Sequence, residues 1–591
     1  MTAQIISLIV NKNIIVHFRF RSSMISQPQD AAGFLAERLN ISKSSAGLLC
    51  LRGISTLEQA EHFLAPKLAD LPDPLLFKDM DRAVTLICEA MRRQWPIVVY
   101  GDYDVDGICA TSLLVHFLKT LQLTVKWHVP NRLTDGYGLT SSGIRTAGKM
   151  VETPALFITV DNGISAIKEV EEALTAGFHV IVTDHHEPQG RVPAADAVIN
   201  PKQDDCGFPF SGLSGVGVAF FLIVALRSRC IENGQWKNEN APNLKEYLDL
   251  VALGTVADVM PLVDVNRILV RAGIEVLRER SRPGIWALCE EAGMRDGAIT
   301  SEDISFRLAP RINAAGRMGT PEIAARLLMA EDISVAQQAA AELEEKNRAR
   351  REIERTIVEA AVVQCEKQCA QGNKALVVYQ GDWHPGVLGI VASRICDRFH
   401  LPAIALADDR QSGNIRGSGR SACGIDLFTV VENCREWLHH FGGHEQAIGL
   451  TMAKDHLEKF IDALNSQVGE LLAQGNKDDE AVIVDQKLSG EEATPSFVSF
   501  LRHLEPCGNE NPEPVFLVEN TKLVRTSIVK KEHLRFALQL GDTVYQGIGF
   551  GMGKKISMVQ NRVDLAFTIK HSSFRGRKRV EVMAVAIRPT H

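Results

Sequence analysis

Three short apolar runs, each closing on an acidic loop, constrain this chain more than any other feature. Ile97–Tyr100 runs into Gly101-Asp102-Tyr103-Asp104-Val105-Asp106-Gly107, Leu156–Val160 into Asp161-Asn162-Gly163, and His179–Thr183 into Asp184-His185-His186. Short unbroken apolar runs suit strands covered on both faces. Gly107–Leu121, which follows the first run, has helical periodicity. Strands alternating with helices predict a doubly wound parallel sheet of the α/β class. Ligands of such sheets bind just past the carboxyl ends of the strands, where all three acidic loops would stand. A further acid, Asp258, closes Leu253–Ala257 in a segment, Asn243–Met260, that reads as a helix.

Each of these positions has a plain alternative. An Asp after a strand is often a helix cap, and a His pair is often only surface. The DxDxDG run suggests a calcium loop, but the twelfth position counted from Asp102 is Leu113 and not the required Glu. What separates the set from its parts is a shared location at one sheet edge. Carboxylates packed there repel one another, and a hard divalent cation relieves the repulsion. Mixed carboxylate and imidazole donors favour Mn²⁺ or Mg²⁺ over structural Zn²⁺. Two such ions suit an in-line displacement at phosphorus.

The rest of the chain divides by pattern. Residues 1–90 carry an N-terminal segment and short helices broken by prolines, and 91–330 hold the acidic loops. Residues 331–372 include Ser334–Gln371, which has no proline or internal glycine and reads as one long linking helix; a helical hairpin is the alternative. A second α/β lobe spans 373–474, and short alternating strands over 475–591 predict a small OB-like β-barrel. Met1–Ser23 is expected to be dispensable, with Met24 an alternative start. No stretch has the roughly 20 apolar residues of a membrane span. The 12 cysteines are scattered without zinc spacing, as expected for reduced thiols in a cytoplasmic protein.

Charge is unevenly spread. The whole chain carries −7, yet Thr521–His591 has 14 Lys/Arg against 4 Asp/Glu, a balance of +10. Arg575, Arg577 and Lys578 are the densest part, and a basic barrel face suits single-stranded nucleic acid. Arg311, Asn313 and Arg317 flank a predicted Gly-Ala turn, and Gly417–Ser421 reads as a Gly-rich loop carrying Ser418 and Arg420. Both offer donors to phosphates, although any one arginine also suits an interdomain salt bridge. His384 and His444 are candidates to face the same cleft.

In their order along the chain, DYDVDG, VDNG, DHH and GTVADVMPL resemble the RecJ family of the DHH phosphoesterase superfamily. The stretches Pro310–Arg317, Trp383–Ile390, Gly417–Ser421 and Phe441–Gly449 agree, the last resembling the mark of a DHHA1 domain. The resemblance implies a single-stranded-DNA-specific 5′→3′ exonuclease that releases mononucleotides in DNA repair and recombination. It implies two divalent cations held by Asp104, Asp106, Asp161, His185 and Asp258, with Asp161 bridging and catalytic. Asp102 would stand behind the ligands, and His186 would act as a catalytic group beside the scissile phosphate. Ser418, Arg420 and Arg311 would bind the 5′ end. The implied partners are single-stranded DNA, a helicase and a single-strand-binding protein, and the implied state is a monomer. Tyr100 departs from the superfamily's pyrophosphatases, which have a metal-binding His there. Two other classes stay open: a phosphodiesterase for very short or cyclic oligonucleotides, and a non-catalytic DNA-binding scaffold.

Overall fold

The computed structural model describes residues 17–23, 30–132, 135–136, 138–294, 299–409, 412–474, 481–574 and 577–590, without the side chains of 23, 474, 572–574, 577 and 578. At its centre is a five-stranded, fully parallel sheet in the order Val125–His128, Ile97–Tyr100, Ala155–Val160, Phe178–Thr183, Ala197–Ile199. Ile97–Tyr100 is buried along its whole length, as a β-branched run in the middle of such a sheet must be. The chain leaves it for Val125–His128 on one side and then crosses to Ala155–Val160 on the other. That reversal opens a crevice at the carboxyl end of Ile97–Tyr100.

The helices that cover the crevice are apolar all round, because they are enclosed on every side. Val105–Thr120 packs on Gly215–Glu232 and Leu248–Ala257, and Leu113, Leu114 and Phe117 are fully buried. The linking helix is a single element, Ile333–Ala370, of 38 residues.

Beyond it, the second lobe has a five-stranded sheet ordered His440–His444, Ala447–Met452, Ile415–Arg420, Ala403–Asp408, Leu376–Tyr379, in which only the last pair is parallel. Two sequence expectations change here. Gly417–Arg420 is not a loop: it belongs to a strand paired on both sides, with Ala405 and Gly449 opposite Ser418. Its glycines exist for close packing, since a Cβ on Gly417 would sit 2.3 Å from the Ala405 carbonyl oxygen. Likewise Arg311, Asn313 and Arg317 lie on a helix, Ala309–Arg317, and not around a turn.

The C-terminal strands form a barrel. Phe516–Lys522 and Val524–Val529 are two arms of one bent strand, hinged at buried Leu523. The first arm pairs with Arg562–Phe574 and the second with His533–Leu540. Thr543–Gly549 and Arg577–Pro589 complete the circuit through one parallel pair. This closed order is that of an OB-fold.

The N-terminal helices Ala31–Leu39, Lys43–Cys50 and Leu57–Leu64 share one hydrophobic core with the barrel, where Leu35, Leu48 and Ala60 join Phe497, Phe516 and Phe536. The first and last parts of the chain thus make one body. Phe18–Phe20 pairs in parallel with Val482–Val484, Arg21 Nε donates to Asp485 at 2.7 Å, and Arg588 covers the Phe18 ring. Phe18–Arg21 is therefore built into the fold, against the expectation that Met1–Ser23 is dispensable; residues 1–16 and Met24 lie outside the described residues.

Candidate metal centre and phosphate-binding wall

The sheet edge brings the acidic loops together. Asp106 is 1% exposed, Asp161 2% and His185 5%. The His185 Nε2 atom lies 3.1 Å from Asp161 Oδ1, 3.6 Å from Asp258 Oδ2 and 3.9 Å from Asp106 Oδ2. Three overlapping groups have donor atoms close enough to hold an ion: Asp102, Asp104 and Asp161; Asp106, His185 and Asp258; Asp161, His185 and His186. Asp161 belongs to two of them. Asp102, expected behind the ligands, lies within the first of these groups, and its Oδ1 accepts the Tyr103 N–H at 2.7 Å.

Local backbone sets these side chains. Asp104 caps the helix Val105–Thr120 by accepting from Gly107 N. Asp106 accepts from Gly215 N at 2.6 Å and Val216 N at 2.9 Å, at the amino end of Gly215–Glu232, where unpaired amides and the helix dipole favour an anion. Asp161 has φ 62°, a left-handed conformation, immediately past the strand Ala155–Val160. A Cβ on Gly215 would lie 2.6 Å from Asp161 Oδ1, one on Gly254 2.7 Å from Asp106 Oδ1, and one on Gly107 2.7 Å from the Asp102 backbone. The glycines leave room for the carboxylates.

Electrostatics mark the group as incomplete without cations. Burial, then the Asp104 charge, pushes Asp102 up to about 8 and Asp106 up to about 7. Asp161 and Asp258 are raised well above the carboxylate range by burial and then by Asp106. Asp161 Oδ1 and both His185 ring nitrogens are buried without a hydrogen bond, an arrangement that costs energy unless a partner arrives. Burial and the neighbouring His186 lower His185 to about 3, so its ring is neutral and free to ligate. Hard oxygen donors with one neutral imidazole fit Mn²⁺ or Mg²⁺.

His186 differs from its neighbour. Burial disfavours its charge, but the hydrogen bond and charge of Asp184 outweigh this and raise it to about 9. Asp184 Oδ1 receives His186 Nδ1 at 2.7 Å and the amides of His185 and His186, while Oδ2 receives Ile164 N. Asp184 is the orienting group of the site. The sequence displayed it, but only the contacts assign this use.

A basic wall adjoins the acids. Arg132 covers the Tyr103 ring at 5.4 Å. Gly316 lies so near Tyr103 that a Cβ would meet its carbonyl oxygen at 2.6 Å, and Arg317, the next residue, donates to Gly386 O across to the second lobe. Gly389 in turn abuts Arg420 and Ser418, and Arg420 donates to Ser418 Oγ at 3.1 Å. Burial, then Arg132, lowers Arg317 to about 10 and also lowers Arg420. Among the described residues, Arg132, Arg317 and Arg420 have no carboxylate at salt-bridge distance. Three crowded guanidiniums fit an anion. Arg132, overlooked in sequence, had the same signal as the acids: it follows the strand Val125–His128 at the same edge.

Other candidates fall elsewhere. Arg311 Nε pairs with buried Glu344 of the linking helix at 2.8 Å, so it ties helices together, the salt-bridge alternative. Asn313 is half-buried on the helix Ala309–Arg317. His384 Nδ1 accepts from Gly386 N beside Arg317. His444 is exposed, two strands from Arg420. Arg575 lies outside the described residues; Arg577 and Lys578 begin a strand opposite Phe574 and Ser573, their side chains undescribed.

Comparison with known proteins gives the family. The DHH family N-terminal domain matches residues 96–255, the DHHA1 domain 372–470 and the RecJ OB domain 484–586. The single-stranded-DNA-specific exonuclease RecJ of Escherichia coli (strain K12) is 38% identical over 525 residues, 86% of this chain and 90% of its own. That of Bacillus subtilis (strain 168) is 36% identical over 563 residues, 94% of this chain and 69% of its own. This chain belongs to the RecJ family. A crystal structure of RecJ from Thermus thermophilus in complex with Mn²⁺ superposes with a TM-score of 0.79 at 30% identity, covering 96% of this chain and 79% of that one. A Mg²⁺ complex of the same RecJ gives 0.73 at 29% identity, covering 96% and 78%. Among the described residues of this RecJ-family chain, no helix is long and apolar enough to cross a membrane.

Proposed function

We propose that this chain hydrolyses single-stranded DNA from its 5′ end, releasing mononucleotides with the help of two divalent cations. The observation that carries the reading is the convergence of Asp106, Asp161 and Asp258 on one neutral His185, within 3.1–3.9 Å. Asp102, Asp104 and Asp161 would hold one cation, and Asp106, His185 and Asp258 the other, with Asp161 shared. When bound, the cations supply Lewis acidity and a nucleophile at neutral pH. Asp184 keeps His186 protonated and aimed, so His186 donates a hydrogen bond to the phosphate as charge builds there. Arg132, Arg317, Arg420 and Ser418 receive the terminal phosphate beside the acids. The basic barrel holds the strand behind the cut. The names of the relatives support the single-stranded substrate. We read the chain as a monomer acting in the cytoplasm, on strands exposed by a helicase and kept open by a single-strand-binding protein.

Digestion of 5′- and 3′-labelled single strands and duplexes with Mn²⁺ or Mg²⁺ tests this. Early release of 5′-labelled mononucleotide from single strands alone is expected. Release from the 3′ end first, or equal attack on duplex, contradicts the proposal.

A further inference from the structure

The turn that follows Asp258 is strained, and the barrel side of the molecule holds it. Val259 has φ 57°, a left-handed conformation that a β-branched residue rarely adopts. It stands where helices commonly end on glycine: Met260 N donates back to Thr255 O and Val259 N to Val256 O. Val259 is 65% exposed, so its side chain gains little from packing there. Its carbonyl accepts from Asn509 Nδ2 at 3.0 Å, and Leu262 N donates to Asn509 O at 2.9 Å. Asn509 thus grips the turn at both ends.

Asn509 is itself well supported. Asn511, 1% exposed, closes the loop by donating to Leu504 O and Pro506 O, both at 2.8 Å, and Arg52 Nε donates to Asn511 Oδ1. Arg267, on the helix Asp264–Glu279, donates to His503 O and Leu504 O. Ser301 Oγ donates to Cys507 O, and Gly508 lies against Leu262, where a Cβ would come within 2.7 Å. This loop is a fixed reference point.

We propose that Asn509 is a positioning residue for the metal centre: it holds the left-handed Val259 turn and thereby places the Asp258 carboxylate toward His185. The inference rests on the reading of Asp258 as a metal ligand. Partners of this kind, one step behind the ligands, typically change metal affinity or activity by about 10–100-fold.

The test uses the full chain and reads Mn²⁺ binding directly, by electron paramagnetic resonance of free Mn²⁺, alongside turnover on a single strand. Asn509→Ala and the isosteric Asn509→Asp, which lacks the donor, are expected to weaken Mn²⁺ binding by about tenfold. They should lower kcat and leave strand affinity measured in chelator unchanged. Val259→Gly added to Asn509→Ala is expected to restore most of the Mn²⁺ affinity, because glycine adopts the turn unaided. Mn²⁺ affinity within about twofold of the parent in folded Asn509 variants overturns the proposal, as does loss of strand affinity with metal binding intact, or failure of Val259→Gly to recover any of the loss. Asp258→Ala in the same titration separates the two readings: if it leaves Mn²⁺ binding unchanged, the ligand assignment fails and not merely the positioning.

Discussion

The two walls of the cleft present opposite problems of charge. The edge of the parallel sheet gathers Asp102, Asp104, Asp106, Asp161 and Asp258, and burial with mutual repulsion drives Asp161 and Asp258 well above the ordinary range. The facing wall gathers Arg132, Arg317 and Arg420, and burial with mutual repulsion drives Arg317 down to about 10. The basic wall offsets little of the acidic charge: Arg132 covers the Tyr103 ring and its charge favours the Asp102 carboxylate, yet burial and Asp104 still push Asp102 up to about 8. Each is left needing a small partner of opposite sign: cations for one, a phosphate for the other. A phosphodiester escorted by divalent ions satisfies both. The lesson is that the fold holds two like-charged clusters apart and lets substrate and metal join them.

The comparison is broken most severely by removing the shared acid. Asp161→Ala is expected to lower turnover by about 10³-fold or more while single-strand binding in chelator stays near the parent value. Lost binding with retained cutting would reverse the roles assigned to the two walls. Next in size is Arg420→Ala, expected to cost about 10–100-fold in kcat/KM on 5′-phosphorylated strands, the usual worth of a charge-assisted hydrogen bond. The loss should shrink on 5′-hydroxyl strands; an equal loss on both would take the terminal phosphate away from this wall. A smaller effect is expected from Arg577→Ala with Lys578→Ala, which should flatten the slope of log affinity against log salt by about 1.4, about 0.7 for each charge removed on a single strand. An unchanged slope removes the barrel from the strand's path.

The smallest effect sharpens the acidic side alone. Asp102 and Asp106 have folded-state values of about 8 and about 7, above those of the unfolded chain. Between about pH 4 and those values the native state binds more protons than the unfolded state, so stability falls as pH rises. In chelator the unfolding midpoint is expected to drop by about 3 °C from pH 5 to pH 8, and Mn²⁺ should abolish the drop. A midpoint that rises over that range in chelator contradicts the crowding of acids at this edge.

Much of the acidic wall was legible in sequence, and little of the basic one. Asp161 follows an apolar run directly, Asp106 and His185 stand within a few residues of two others, and a buried parallel strand announces itself by its own residues. Gly417–Arg420 misled, because glycine and serine suggest a loop by composition. Its strand is decided by pairing with Ala403–Asp408 and Ala447–Met452, segments distant in the chain. Arg311 looked equivalent to Arg317, yet one meets Glu344 and the other reaches Gly386; a difference of six positions along one helix decides which neighbour each finds. The same reason hid the union of the N-terminal helices with the barrel.

By itself, the sequence determined the class of sheet, the acids at its edge, the long linking helix and the basic barrel, since each is written in contiguous residues whose periodicity and charge act locally. Tertiary structure alone decided that Asp258 meets His185, that Asp102 gathers with Asp104 and Asp161, that Asp184 orients His186, that Arg132 and Arg420 share a wall, and that Asn509 grips the turn behind Asp258. Those are contacts between residues far apart in the chain, and their geometry depends on how strands, helices and barrel pack together, which no local pattern records.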